Sequence, residues 1–432
     1  MKKIIAVLLL FTFKAHAQKL TLEEAINIAL KNSFDIQLAK NNVAVNDALN
    51  SYGVAGGLPV VTGTASDLEQ LSSLNQRFVG GDTARTVKAN AAPSNSLNVG
   101  VNANFVLYNG MRIVSTKKRL EQLESQSEQL LNAQVQIAIA NVMSKYYDIV
   151  RQQEYSQTID SSIAISKLRL EILQTRMDVG LANNADVFQA QIDLNTLLQA
   201  KESQELTVSI AKTELLRVLT LKADSTINVD DSIKVGELMK LEAILDNLST
   251  NPDIIAANQQ IEINELIERE TAALRYPTLS VNAGYTYGRT QNAAGQLLLN
   301  QRYGPQAGIN LSIPIYNGNA FKRQQRVAEI NTQSATVQKD ALVNDYVNSA
   351  VKQYQTYITT LQQLEKEEEN YRITQALIDL VLKRFELRVA TILELREAQQ
   401  SFEETSYRLT NLRFAAKSAE IELKRLSNKL SF

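Results

Sequence analysis

Cysteine and tryptophan are absent from this chain, and its only histidine, His16, sits among the first seventeen residues. Without cysteine there are no disulfides, no thiol nucleophile and no lipid anchor on an N-terminal cysteine. Without a histidine in the body of the chain there is no imidazole acid or base, and no His/Cys zinc site. Neither a Gly-rich phosphate loop nor a nucleophile elbow is present. The sequence therefore predicts a protein that is not an enzyme and that holds no cofactor and no metal. Acidic and basic residues nearly balance, 46 against 45, which gives no footprint for nucleic acid. Beyond residue 17 no apolar run approaches the length of a transmembrane helix.

The first residues read as a leader. Lys2 and Lys3 precede an apolar run from Ile4 to Phe13, and Ala15-His16-Ala17 closes it before Gln18. That order of charge, grease and small residues predicts a secretory signal peptide over 1–17, cleaved on export. A short membrane anchor fits less well, because the run is too brief to span a bilayer. Loss of Lys2, Lys3 and Lys14 moves the formal net charge from −1 to −4.

Glycine and proline are few, 16 and 6, and they cluster between Gly53 and Gly110 and between Pro277 and Gly318. Neither residue occurs from Met111 to Val179 or from Asn319 to Phe432. Helix breakers confined in this way predict very long helices. A helix over 111–177 would run about 100 Å and needs lateral partners to bury its stripe.

The two halves repeat one another. Tyr108-Asn109-Gly110 recurs as Tyr316-Asn317-Gly318. At the same spacing Val135, Ile139, Val142, Tyr146 and Ile149 meet Val343, Val347, Ala350, Tyr354 and Tyr357. Asp35-Ile36 matches Asp253-Ile254, and Leu58-Pro59 matches Tyr276-Pro277. Each copy is predicted as helix, two strands and two long helices. The first, 18–222, has a helix at 20–56, strands at 59–68 and 97–108, and long helices at 111–177 and 184–221. A linking segment covers 223–247. The second copy, 248–432, has a helix at 252–275, strands at 277–288 and 306–316, and long helices at 319–385 and 391–428. Thr21 with Glu24 forms a capping box for the first helix, and Asn251-Pro252 starts its counterpart.

The strands carry the functional argument. Leu97, Val99, Val101, Ala103, Phe105 and Leu107 alternate with Asn98, Gly100, Asn102, Asn104, Val106 and Tyr108. In the second copy Ala307, Ile309, Leu311 and Ile313 alternate with Gly308, Asn310, Ser312 and Pro314. Strands of about ten residues with one apolar and one small polar face are the pattern of outer-membrane barrels. An antiparallel sheet lying on a core uses the same alternation. The leader, and the lack of other apolar surface to cover the strands, favour the barrel. Asn98, Asn102, Asn104, Asn310 and Ser312 then line its lumen. Four strands cannot close, and open edges are not tolerated in lipid. Two copies would give eight strands, whose interior is filled by side chains, and three give twelve, with room for water.

Taken with the strand leads at Pro59 and Pro277, the Tyr-Asn-Gly exits and the turn Val179-Gly180-Leu181, the duplication resembles the TolC-type outer-membrane efflux proteins. The resemblance implies an α+β membrane protein: a homotrimer with a twelve-stranded β-barrel, four strands per chain, continued by a twelve-helix α-barrel in the periplasm of a Gram-negative bacterium. It implies an exit duct of a tripartite efflux or type I secretion system, passively conducting substrates, with a periplasmic adaptor and an inner-membrane transporter as partners. It places adaptor docking at Val179, Gly180, Leu181, Leu387 and Val389. It places the periplasmic constriction at the acids Glu394 and Glu397, with Asp186, Arg388 and Phe385 around the gate. Taken alone, an acid pair three residues apart is equally a solvated helix face. Phe385 and Ala390 stand where the family has an aromatic hydroxyl and a base, so the polar lock there is missing; either the closed state is held differently, through Arg388 and Asp186, or the duct rests less tightly shut. A competing reading is a periplasmic coiled-coil adaptor or scaffold without a barrel, which predicts one helical hairpin rather than two.

Overall fold

The computed structural model describes residues 20–80, 83–236 and 240–430, so the signal peptide expected at 1–17 lies outside the described residues. Helices α1 (Leu22–Asn32) and α2 (Phe34–Leu49) lead into strands β1 (Val60–Gly80) and β2 (Thr83–Tyr108). Helices α3 (Arg112–Asp178) and α4 (Asn184–Val218) follow. The second copy contains α5 (Leu241–Asn247), α6 (Pro252–Ala272), β3 (Thr278–Asn292), β4 (Leu299–Ser312), α7 (Ala320–Glu386) and α8 (Ile392–Leu426).

The duplication is written in the backbone. Helices α3 and α7 both have 67 residues and α4 and α8 both have 35, with every boundary displaced by 208 positions. Left-handed residues recur at that displacement: Gly110 with Gly318, Met111 with Asn319, Gly180 with Arg388, and Thr220 with Asn428. The last two pairs end helices by one device. The Leu181 N–H donates to the Arg176 carbonyl at 2.7 Å and the Val389 N–H to that of Arg384 at 2.8 Å. Leu221 and Lys429 donate to Leu216 and Lys424 at 3.0 and 2.8 Å. A side chain in this conformation costs about 1–2 kcal/mol. Arg388, Thr220 and Asn428 bear that cost, so the repeat preserves the stop itself rather than a glycine.

Several boundaries differ from the sequence expectation. The helix expected at 20–56 is two helices, because Ser33 turns to an extended ψ of 126° and caps α1 through its N–H on the Ala29 carbonyl. The Gln37 amide then satisfies the freed Asn32 carbonyl at 3.0 Å. No glycine or proline marks that break. The strands expected at 59–68 and 97–108 extend into one long hairpin whose pairing continues to Gly80 and Thr83. Its outer part mixes apolar and polar residues on both faces, Leu71 and Val79 on one and Leu74 and Phe78 on the other among Glu69, Arg77, Ser72 and Gln76, so regular apolar alternation stops there while backbone pairing does not. In the second copy β3 continues past 288 to Asn292, and β4 occupies Leu299–Ser312 rather than 306–316. Pro314 lacks the N–H needed to extend β4. The linking segment ends in a helix, α5, that its composition did not announce.

The chain divides into two compact units. Among the described residues, the first is drawn from those within Met1–Asn41, Gln129–Ile255 and Asp340–Phe432. In it the two copies of the helical stripe seed separate cores. Ile139, Val142, Tyr146 and Ile149 pack with Ile26, Ala29, Leu215 and Leu219. Ala350 and Tyr357 pack with Ile244, Leu248, Ile254 and Leu423. The linking segment is tied to this unit at Glu420, which is 2% exposed: its carboxylate accepts from the Gly236 N–H at 2.9 Å, Lys424 at 2.6 Å and Lys417 at 3.1 Å. The second unit, Asn42–Glu128 with Ala256–Lys339, contains an antiparallel sheet in the order β1-β2-β3-β4.

Candidate functional site

Register decides what the sheet can do. Val61, Ala103, Ala283 and Ala307 form one cross-strand row; Gly63, Val101, Tyr285 and Pro305 form another; Ala65, Val99, Tyr287 and Tyr303 form a third. The next row on that face, Asp67, Leu97, Arg289 and Gln301, ends the apolar band. On β3 the band runs from Leu279 to Tyr287, nine residues, which is the length a tilted strand needs to cross a bilayer. Its members stand free, with Ile309 74% and Tyr303 70% exposed. Three tyrosines at one margin give the aromatic girdle expected at a lipid interface. At the other margin a bulge between Val106 and Tyr108 pairs Tyr108 with Leu279. This corrects the alternation expected for Tyr108, which moves from the polar to the apolar side. Among the described residues no helix is long and apolar enough to cross a membrane.

The opposite face is polar. Asn98, Asn102, Asn104, Asn310 and Ser312 all fall on it by register. Glycines alternate with the asparagines for a reason of space: a Cβ on Gly284 would lie 2.5 Å from the Asn102 Oδ1 and 2.7 Å from the Val101 carbonyl. The Asn102 side chain therefore lies flat across β3, where its Oδ1 accepts from the Gln306 amide at 3.3 Å. Strands β1 and β4 are the two edges of the sheet, and neither has a second strand partner among the described residues.

The helical turns form the other candidate site. Val179, Leu181, Leu387 and Val389 are each more than half exposed, at 62, 57, 74 and 65%. Gly180 and Arg388 hold the same left-handed conformation, at φ +73° and +66°. Asp186 and Glu394 occupy matching positions in the first turns of α4 and α8. Asn183 accepts from the Asp186 N–H at 2.8 Å. Glu394 completes a capping box, its carboxylate accepting from the Thr391 N–H at 3.0 Å. Glu394 and Glu397 are both exposed. No ion pair joins Arg388 to Asp186 among the described residues; Arg388 lies near Arg176 instead. Phe385 faces no opening. It is fully buried in a cluster with Leu173, Val187, Ala390 and Leu395. The Arg176 guanidinium stacks 4.4 Å from its ring and donates to its carbonyl, so α3 clasps the end of α7. Burial, with the charge of Arg388 second, holds the Arg176 pKa below its ordinary value.

Above this clasp lies a link that local sequence pattern could not reveal. Arg169 on α3, 1% exposed, donates to Asp193 on α4 at 2.8 Å. Asp193 also accepts from Gln189 at 2.8 Å and has Arg396 of α8 at 3.8 Å. Gln399 of α8 donates to the Ser166 hydroxyl at 2.9 Å and to the Ser162 carbonyl at 3.2 Å. The only trace of this in the sequence is a base set within the apolar stripe of α3.

The profile of the outer membrane efflux protein family matches residues 25–220 and again 244–429, one match per structural copy. The chain belongs to that family. Outer membrane protein TolC of Vibrio cholerae is 23% identical over 359 residues, covering 80% of this chain and 80% of that protein. Toxin and drug export protein A of Aggregatibacter actinomycetemcomitans is 22% identical over 384 residues, covering 87% and 78%. The crystal structure of the outer membrane protein VceC from Vibrio cholerae superposes with a TM-score of 0.75 at 16% identity, covering 94% and 95% of the two chains. The chain is thus an outer-membrane efflux duct, and the barrel-less adaptor is excluded. Its family is one of channels rather than enzymes.

Proposed function

We propose that three copies join head to tail, each β4 pairing with the next β1, to close a twelve-stranded barrel continued by a twelve-helix tunnel. The open edges of a sheet with an apolar band on one face carry this reading: unpaired backbone groups in lipid cost several kcal/mol each. The helices support the same closure. In the first unit polar pairs connect α4 to α3, α3 to α8 and α8 to α7, as in Lys201 with Asp160, Arg151 with Asn411 and Arg408 with Glu367. The outer helices keep exposed apolar residues, Phe188 and Ile192 on α4, Ile373 and Leu380 on α7. In the second unit Val45 on α2 and Val327 on α7 are likewise exposed. A heterologous ring brings such unlike edges together. Three is the smallest number that leaves a lumen.

In this assembly Asn98, Asn102, Asn104, Asn310 and Ser312 line the barrel. The exposed apolar side chains at Val179, Leu181, Leu387 and Val389 receive a periplasmic adaptor that carries substrates from an inner-membrane transporter. Glu394 and Glu397 ring the periplasmic mouth and attract cations. The absence of native cysteine makes the assembly testable. Within one chain β1 and β4 are three strand spacings apart, about 14 Å, beyond disulfide reach. Thr64→Cys with Gln306→Cys should therefore cross-link between chains, up to trimers and no further. A monodisperse, detergent-free monomer that yields no cross-link would refute the ring. For the mouth, Glu394→Ala with Glu397→Ala should weaken cation selectivity and block by multivalent cations; unchanged behaviour would remove those acids from the constriction.

A further inference from the structure

Where all four strands pair, the polar face of the sheet carries a single charge. In the rows where all four strands pair, from Val60, Asn104, Asn282 and Gly308 to Leu68, Ser96, Thr290 and Asn300, the side chains between those ends are Asn, Gln, Ser, Thr or Gly, except at Arg302. The acids of this part of the sheet, Asp67 and Glu69, stand on the other face, where both accept from the Asn95 amide, at 2.6 and 2.8 Å. Arg289 is on that face too.

The surroundings of Arg302 are suited to an anion. It lies opposite Gly288, which in turn pairs with Asn98, so no side chain stands between the guanidinium and β2. The resulting groove, about 400 Å³, is lined by Ser66, Asn98, Thr290 and Asn300 beside Arg302. Arg302 is exposed, and no carboxylate pairs with it among the described residues. A guanidinium offers five donors in a plane, and the neighbouring amides and hydroxyls add more. Such a set favours carboxylate, phosphate or sulfonate oxygens over any cation.

We propose that Arg302 is a selectivity-determining residue of the barrel: a ring of three such side chains concentrates anions at the end of the lumen nearest the β3–β4 turn. This rests on the ring closure proposed above. With the charges about 10 Å from the axis in water and a Debye length of about 10 Å at 0.1 M salt, anions are enriched about twofold and cations depleted about twofold. The chloride-to-potassium permeability ratio should thus depend on Arg302 by about fourfold, and by more in dilute salt.

The test is the reversal potential of the purified protein in a planar bilayer under a potassium chloride gradient. It is measured with the native periplasmic mouth and with Glu394→Gln and Glu397→Gln, since those acids lie in series. Arg302→Gln should lower the ratio about fourfold and Arg302→Glu should lower it further. Arg302→Lys, which keeps the charge, and Arg289→Gln, on the opposite face, should leave it unchanged. Conductance with a ratio indifferent to Arg302→Gln and Arg302→Glu in both backgrounds would overturn the selectivity ring alone. Absence of any conductance from the native protein would overturn the duct, and the ring with it.

Discussion

The link between Arg169 and Asp193 permits a quantitative test of how the helices near the turns are held. Replacing Asp193 by leucine leaves the Arg169 guanidinium, 1% exposed, without its nearest carboxylate, while its Nε already lacks a hydrogen-bond partner. At an effective dielectric constant of about 20 the lost attraction is about 4 kcal/mol, and removing one partner of a buried pair typically costs about 3–5 kcal/mol. Glu403 also favours the Arg169 charge, whereas Arg396 opposes it, so the two minor influences act in opposite directions. The expected loss for Asp193→Leu is about 3–4 kcal/mol. Arg169→Met together with Asp193→Leu removes both charges and should return to within about 1 kcal/mol of the native protein. Arg396→Gln should cost less than about 0.5 kcal/mol, because Arg396 is 53% exposed and its pair is screened. The assay is urea unfolding followed by helical circular dichroism, at fixed protein and detergent concentration because the proposed ring makes unfolding concentration-dependent. A single Asp193→Leu costing under about 1 kcal/mol, or a double variant as poor as the sum of the singles, would refute the reasoning.

Three further outcomes follow from other parts of the molecule. Burial pushes the Glu420 carboxyl up, but its bonds from Lys424, the Gly236 N–H and Lys417 outweigh this and its pKa ends below the ordinary value. Its stabilising contribution is therefore complete above the unfolded carboxylate pKa and is lost as pH falls through the lower folded value, so hydrogen exchange at residues 228–236 should accelerate in acid, and Glu420→Gln should show that acceleration already at neutral pH. For Glu154 the shift runs the other way, upward from burial despite Arg413; ionisation then costs stability as pH rises between the unfolded and folded values, and Glu154→Gln should raise the neutral-pH urea midpoint while changing little in acid. At the turns, Gly180→Ala should cost about 1 kcal/mol through backbone conformation alone, since nothing lies within 4 Å of the added Cβ, while Arg388→Gly should stabilise by up to about 1 kcal/mol in the same urea assay.

The long helices were legible because glycine and proline are excluded from them; the end at Asp178 falls two residues before Gly180, whereas the end at Glu386, with neither residue near it, was legible only through the repeat 208 positions on. The apolar band was legible because lipid demands alternation over nine residues or so. Beyond it the β1–β2 hairpin answers to backbone pairing alone, so its true extent to Gly80 was hidden. The break at Ser33 was hidden for a related reason, being made by one ψ angle and mended by the Gln37 amide. Among candidate site residues, those on the strands share a face because period two fixes them there. The burial of Phe385 and the Arg169–Asp193 link depend on contacts between helices far apart in sequence, which no spacing encodes.

This chain is proposed to form a water-filled duct by closing its sheet with copies of itself. Single-channel recording of the purified full-length protein in a planar bilayer tests it most directly. Discrete, long-lived conductance steps from a detergent-solubilised species of three chains are expected. A detergent-free monomer that leaves the bilayer electrically silent would contradict it.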